Sequence, residues 1–223
     1  MNWEPIILTF QLAFIVTVIL FVISIPLARW LASSQSKSKP VIEALVSMPL
    51  VLPPTVLGFY LLVAFGQNSP LGHFLNDIFG LQLIFSFEGL IVASVIYSLP
   101  FMVQPIQSGL ANLPKNLKEA AYLMGKSPWE TLRKVELPNI KSSLLTGIVL
   151  TFAHTIGEFG VVMMIGGNIP GETKVASIAI YDEVESLNYS AANKYALFLI
   201  VVTFLILLTV YFINGRSFKP LKG

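Results

Sequence analysis

Long uninterrupted apolar runs alternate with short polar segments along this chain. Five runs reach the roughly 20 residues that a helix needs to cross a bilayer. They cover residues 6–28, 44–66, 89–110, 144–167 and 195–213. The first and last carry no charge, and the fourth contains His154 and Glu158. None shows the period-two alternation of a membrane strand, so the pattern predicts an all-α integral membrane protein with five transmembrane helices in one domain, 1–223. Between the third and fourth runs lies a polar, helix-prone segment, 114–138, punctuated by Gly125, Pro128 and Pro138. The connection 168–194 is net acidic, and Val175, Ile178, Ala179 and Val184 recur there at helical spacing, which predicts a short amphipathic helix.

Composition strengthens this picture. Hydrophobic residues make up 55% of the chain and charged residues 12%, against about 25% charged in soluble domains. There is no cysteine, which excludes disulfides, thiolate metal sites and cysteine nucleophiles. The first ten residues lack a basic stretch and a small-residue cleavage site, so they read as the start of a retained span.

The placement of charge gives the expected topology. Of the 14 lysines and arginines, all but Lys174 and Lys194 fall between runs one and two, between runs three and four, or after run five. The basic side faces the cytoplasm, so the N-terminus is expected outside and the C-terminus inside. Trp3 and Trp30 bracket the first span as interfacial tryptophans do.

The cytoplasmic segment carries its own start and stop signals. Pro114 opens a first helix with Leu113, Leu117, Ala120, Ala121 and Met124 on one face. Gly125 ends it in a left-handed cap. Ser127-Pro128-Trp129-Glu130 then forms a capping box with proline at the first helical position. The second helix is expected to end near Pro138. Such a hairpin either rests on anionic headgroups through its lysines or docks a soluble partner.

The residues of this hairpin, "EAAYLMGKSPWETLRKVELP", resemble the EAA loop of bacterial ABC importer permeases. The match runs through Glu119, Ala120, Ala121 and Gly125, then Val135 in place of the usual isoleucine, Leu137 and Pro138. "SMPLVLPPTVLGFYLL", "AHTIGEFGVVMMIGGNIPGET" and "AIYDEVESLNYSAANKYAL" look like the molybdate branch of that family. The resemblance implies a type I permease fold, a homodimer and a place in a bacterial plasma (inner) membrane. It implies two copies of a cytoplasmic ATPase docked on Glu119, Ala120, Ala121, Gly125, Leu137 and Pro138, and an external molybdate-binding protein. Sulfate, thiosulfate or tungstate stand as alternative cargoes.

No GxxxxGK[ST] occurs, so the chain is expected to be no enzyme by itself and to hold no cofactor; ATP and Mg belong to the partner ATPase. Nothing points to nucleic acid, and no metal site is expected. The translocation path or gate is assigned to Pro53, Pro54, Thr55, His154, Glu158 and Gly160. Successive prolines in the second span free backbone carbonyls that must meet protein or cavity water; they mark either a packed kink or a wall of the path.

His154 and Glu158, four apart, are expected on one helix face, turned away from lipid. An ionised Glu158 would repel a dianion. It is therefore read as organising the gate, neutral or hydrogen-bonded to His154 or a neighbouring helix, with His154 as a donor to a passing oxyanion. Thr151 and Thr155 are further candidate donors. A secondary transporter coupling protons through His154 and Glu158, or a membrane scaffold, would use the same spans without an ATPase.

Overall fold

The computed structural model describes residues 2–217, with side chains to 212. Lys219 and Lys222 of the C-terminal basic group lie outside the described residues, as does the Arg216 side chain.

Helix α1 (Glu4–Ser33) starts with proline in its first turn, and Glu4 complements the helix dipole there. Leu12, Val16 and Leu20 form a buried stripe at four-residue spacing, while Ile7, Phe14, Val18 and Val22 stay exposed for lipid. The second predicted span is not one helix. It divides into α2 (Lys39–Ser47), a 3-10 turn (Met48–Leu50) and α3 (Pro54–Phe65), with a bend of 109° between the two arms. The cause is local. Pro53 takes an extended backbone (φ −54, ψ 135) and Pro54 opens the next helix, so neither missing N–H interrupts a helical ladder.

The connection after α3 holds a helix that apolar patterning leaves unmarked, α4 (Pro70–Phe79). Ser69 caps its start and Gly80, at φ 62, its end. The lone His73 sits exposed on it. Helix α5 (Phe87–Ala111) stays continuous despite Pro100 and Pro105. The hairpin follows as α6 (Lys115–Leu123), α7 (Pro128–Thr131), a π segment (Leu132–Glu136) and α8 (Leu137–Asn139).

The fourth predicted span is also broken, into α9 (Lys141–Gly157) and α10 (Gly160–Gly166). The acidic connection forms α11 (Ala176–Glu185), preceding α12 (Tyr189–Ser217). Val175, Ile178 and Ala179 are buried as the periodicity predicts, whereas Val184 is exposed.

The core lies where α1, α5 and α9 meet, through Leu12, Val16, Leu20, Met102, Val103 and Ile106. Gly147 permits the close approach of α9 to α5, because a Cβ there would lie 3.1 Å from the Met102 sulfur. At 30 residues, α1 is about 45 Å long. Its start is tied to α11, where the Ala176 amide donates to Thr9 Oγ1 (2.8 Å). Its far end is tied to the hairpin, where Arg29 Nη2 donates to the Pro128 carbonyl (2.9 Å). The acidic connection and the basic hairpin therefore occupy opposite ends of the bundle.

Candidate functional site: a capped hairpin and a cavity between broken helices

The bend of the hairpin is closed by hydrogen bonds on both sides. At the end of α6 the Lys126 amide donates to the Ala121 carbonyl (3.1 Å) and the Gly125 amide to that of Tyr122 (2.9 Å), with Gly125 at φ 72. This is a complete Schellman motif. Ser127 Oγ accepts from the Glu130 amide (3.2 Å), and the Glu130 carboxylate accepts from the Ser127 amide (3.4 Å). Lys134 Nζ lies 2.9 Å from Glu130 Oε1. That hydrogen bond, with the bond from Ser127, holds the Glu130 carboxyl below its usual range.

Three details differ from the sequence reading. Pro114 caps α6 rather than entering it. Among the expected apolar face, Ala121 is buried and Leu113 and Leu117 half-buried, but Ala120 and Met124 are exposed, because Lys118 takes part of the inward face. The second helix ends near Pro138 as expected, at Asn139, but Leu137, the residue before the proline, keeps a helical backbone (φ −60, ψ −42). The π segment ends with the Leu137 amide donating to the Leu132 carbonyl, just before Pro138, which has no N–H to donate. Glu119 and Pro138 are exposed and Leu137 half-buried. Leu123, Met124 and Trp129 stand 89%, 69% and 62% exposed around the Gly125 bend. They form an apolar tip on a charged segment.

Glu136, within the same motif, is only 1% exposed. Its carboxylate lies 2.9 Å from Arg29 Nε and 3.2 Å from Lys118 Nζ. A cleft of about 500 Å³ opens beside this cluster, lined by Trp30 of α1 and Trp129 of the hairpin. Sequence reading passed over Glu136 because it occupies the unspecified position of the motif, and took Arg29 as a marker of topology only. The available signal was a lone carboxylate flanked by Val135 and Leu137.

The two broken spans meet at a cavity of about 530 Å³ lined by Pro54, Thr55, Tyr97, His154, Gly157, Glu158 and Gly160. Five of the six residues assigned to the path therefore line one space; Pro53 stands just behind as the cap of α3. A Cβ on Gly160 would lie 2.7 Å from Pro54 Cβ, so the start of α10 rests directly on the start of α3.

Inside the cavity the geometry departs from the helical-face expectation. Glu158 leaves the helix (φ −70, ψ 136) and does not share a face with His154. The His154 ring stacks on Phe101 at 3.9 Å. Its Nδ1 is 3.1 Å from Ser98 Oγ, which is 3.2 Å from Thr155 Oγ1. Ser98, not Glu158, orients the imidazole. The Glu158 side chain is 5% exposed, with Ser94 of α5 as its polar neighbour. Its carbonyl accepts from Ser177 Oγ (2.6 Å). Thr151 and Thr155 are buried in the helix contact, and neither lines the cavity, so they do not face it as donors. Among the described residues no lysine or arginine lines it either.

Comparison with known proteins bears on the family and the fold. Residues 24–220 match the family model described as binding-protein-dependent transport system inner membrane component. The chain is 46% identical over 213 residues to the molybdenum transport system permease protein ModB of Azotobacter vinelandii, covering 95% of this chain and 93% of that protein. It is 34% identical to a putative molybdenum transport system permease protein of Bacillus subtilis, covering 96% and 93%. It is 35% identical to a probable sulfate transport system permease protein of Chlorella vulgaris, covering 90% and 76%. Among solved structures, the inward-facing MetNI methionine ABC transporter superposes with a TM-score of 0.73 at 20% identity, over 96% of this chain and 95% of that one. A bacterial ABC transporter that imports alginate gives 0.80 at 18% identity, over 97% and 79%. These likenesses identify the fold as that of type I importer permeases.

Proposed function

The chain belongs to the binding-protein-dependent transport system inner membrane component family, and from that premise we propose that it is the membrane permease subunit of an ATP-driven importer whose cargo is molybdate. The observation that carries this reading is the hairpin. Its bend is capped on both sides, and it is riveted to α1 and tipped by exposed Leu123, Met124 and Trp129. Lipid contact alone asks for none of that rigidity, whereas a lever worked by a partner does. The cargo follows the molybdenum permeases of Azotobacter and Bacillus.

In this reading two copies of the chain enclose the path. Two copies of a separate ATPase seat on the hairpins from the cytoplasm, so the N-terminus lies outside and the C-terminus inside. ATP and Mg bind to that partner, and this chain supplies no nucleotide site. An external binding protein delivers the oxyanion at the opposite end, near α4 and α11.

The chemistry of the cavity suits passage rather than capture. A tight dianion site needs charge-assisted donors, and the lining offers Thr55, Tyr97 and His154 but no cation. Selectivity then resides in the binding protein. Glu158, turned toward Ser94 and hung from Ser177, shapes the gate without meeting the anion.

Sulfate is the second reading, because the chain is also 35% identical to a sulfate permease. Uptake of radiolabelled molybdate by cells with and without this gene separates the two. Loss of uptake that tungstate competes and sulfate does not supports molybdate; intact molybdate uptake with lost sulfate uptake moves the cargo to sulfate.

A further inference from the structure

The hairpin leads into α9 through a single corner. Pro128–Asn139 and Lys141–Gly157 meet at 79°, and the corner residue Ile140 has a non-helical backbone (φ −110, ψ 23). One corner of this kind is a pivot: a push on the hairpin would change the angle rather than move α9. A second attachment at a distance from the pivot converts it into a bracket. The cluster around Glu136 supplies that attachment.

Glu136 reaches Arg29 on α1 and Lys118 on α6, and Arg29 also donates to Pro128, the first residue of α7. One buried carboxylate thus joins the distal end of α1 to both arms of the hairpin. The burial matters, because a carboxylate 1% exposed cannot exchange its partners for water, and breaking such a pair by removing one member is strongly unfavourable. Arg29 is suited to the joint because its planar fork serves two acceptors at once. From there α1 packs along α5 and α9, the helices that carry Tyr97 and His154 to the cavity.

We propose that Glu136, held between Arg29 and Lys118, is a positioning residue of the transport cycle that locks the hairpin to α1, so that movement imposed at the hairpin reaches the cavity walls. This rests on reading the hairpin as the ATPase seat. It adds that transmission runs through α1 as well as through the covalent corner at Ile140.

The test uses the complete transporter, with its ATPase and binding protein, in proteoliposomes supplied with molybdate. Wild-type vesicles come first: absence of ATP-dependent uptake or of a bound ATPase would remove the importer reading itself, independently of Glu136. In Glu136→Gln the shape remains and the charge goes. The ATPase is expected to stay bound and to hydrolyse ATP, while molybdate imported per ATP falls about tenfold. Arg29→Lys keeps the charge but cannot serve Glu136 and Pro128 together, and it should show the same defect more weakly; it also serves if the glutamine variant does not fold.

The chain has no cysteine, so Arg29→Cys with Glu136→Cys can be joined by a short thiol crosslinker. Crosslinking is expected to raise import per ATP above that of the unlinked double variant. Unchanged import per ATP in Glu136→Gln and Arg29→Lys, or a crosslink that stops import while hydrolysis continues, overturns the proposal.

Discussion

The hydroxyl of Ser177 donates to the carbonyl of Glu158 at 2.6 Å, which ties the amphipathic helix α11 to the break in the fourth span. That carbonyl ends α9 and has no intrahelical donor. Ser177 replaces the missing turn, and α11 becomes a strut that holds the break open toward the cavity. Ser177→Ala removes the donor and leaves a poorly hydrated carbonyl. We expect a loss of about 1–3 kcal/mol in stability, seen as a lower midpoint of thermal unfolding in detergent, together with reduced uptake. Ser177→Thr keeps the hydroxyl and should stay near wild type; equal behaviour of the two variants would detach α11 from the gate.

Gly125 offers a cleaner case, because sterics and backbone conformation separate there. A Cβ at this position would meet nothing within 4 Å, yet the residue sits at φ 72. The penalty of a side chain is therefore conformational, about 1–2 kcal/mol for a non-glycine residue in the left-handed region and larger for a β-branched one. Gly125→Val should loosen the bend between α6 and α7 and weaken ATPase association while membrane insertion stays normal. Gly125→Asn, which tolerates that region better, should recover most of the association. Co-purification of the ATPase with each variant reads the difference, and full binding by the valine variant would contradict the need for a rigid bend.

Most of the fold was legible because membrane helices advertise themselves by length and apolarity, and caps by short local patterns. The Gly125 and Ser127 caps, the break at Pro53-Pro54 and the amphipathic α11 all depend on residues within a few positions of one another. The misses are long-range or conformational. Helix α4 has its caps, Ser69 and Gly80, but no run long enough to stand out. The spacing alone predicts Glu158 on a helix face, because nothing local in "HTIGEFG" forces the chain to unwind. The unwinding is compensated from 19 residues away by Ser177. The ion pair between Arg29 and Glu136 joins residues far apart in sequence, and each partner alone reads as an ordinary interfacial charge. The cavity brings Pro54, Thr55, His154, Glu158 and Gly160 together, in line with their common assignment to the path, but the sequence does not show that the two helix breaks face each other.

Gly160 and Gly157 flank the same break and should differ in their tolerance of alanine. At Gly160 the added methyl would lie 2.7 Å from Pro54 Cβ, whereas at Gly157 it would meet nothing within 4 Å. Gly160→Ala must push α10 off α3, at a cost of about 1–3 kcal/mol, and should depress uptake. Gly157→Ala should leave uptake and unfolding near wild type. Equal tolerance of both would mean that the contact between α3 and α10 is not kept during transport.

The Glu130 capping box gives a pH expectation with a definite sign. Lys134 and Ser127 lower the Glu130 carboxyl below its ordinary value of 4.5. A carboxylate lowered on folding contributes stability above its unfolded value, and that contribution is lost as the pH falls through the lower folded value. Between about pH 5 and 8 Glu130 therefore stays ionised, and ATPase association should show no dependence on this residue's titration. Glu130→Gln fixes the uncharged form and should weaken association at neutral pH. A wild-type association curve that drops with acid across that range, and flattens in the glutamine variant, would contradict the assignment.

Glu158 carries the sharpest distinction between an ATP-driven permease and a proton-coupled carrier. Its side chain is buried beside Ser94 and makes no pair with His154, whose Nδ1 is engaged by Ser98. A carboxylate that relays protons must change its charge in every cycle, and an amide cannot do this. A carboxyl that only shapes the break can be replaced by an amide of the same size, which still has an oxygen and two N–H donors for Ser94. Glu158→Gln should therefore retain a substantial part of the uptake, whereas Glu158→Leu, which removes every polar atom, should lose it. The comparison is made with ATP held constant and an uncoupler present. Uptake by the glutamine variant that survives the uncoupler places the driving force on the ATPase. Complete loss in the glutamine variant, with wild-type uptake abolished by the uncoupler, would assign Glu158 to proton transfer.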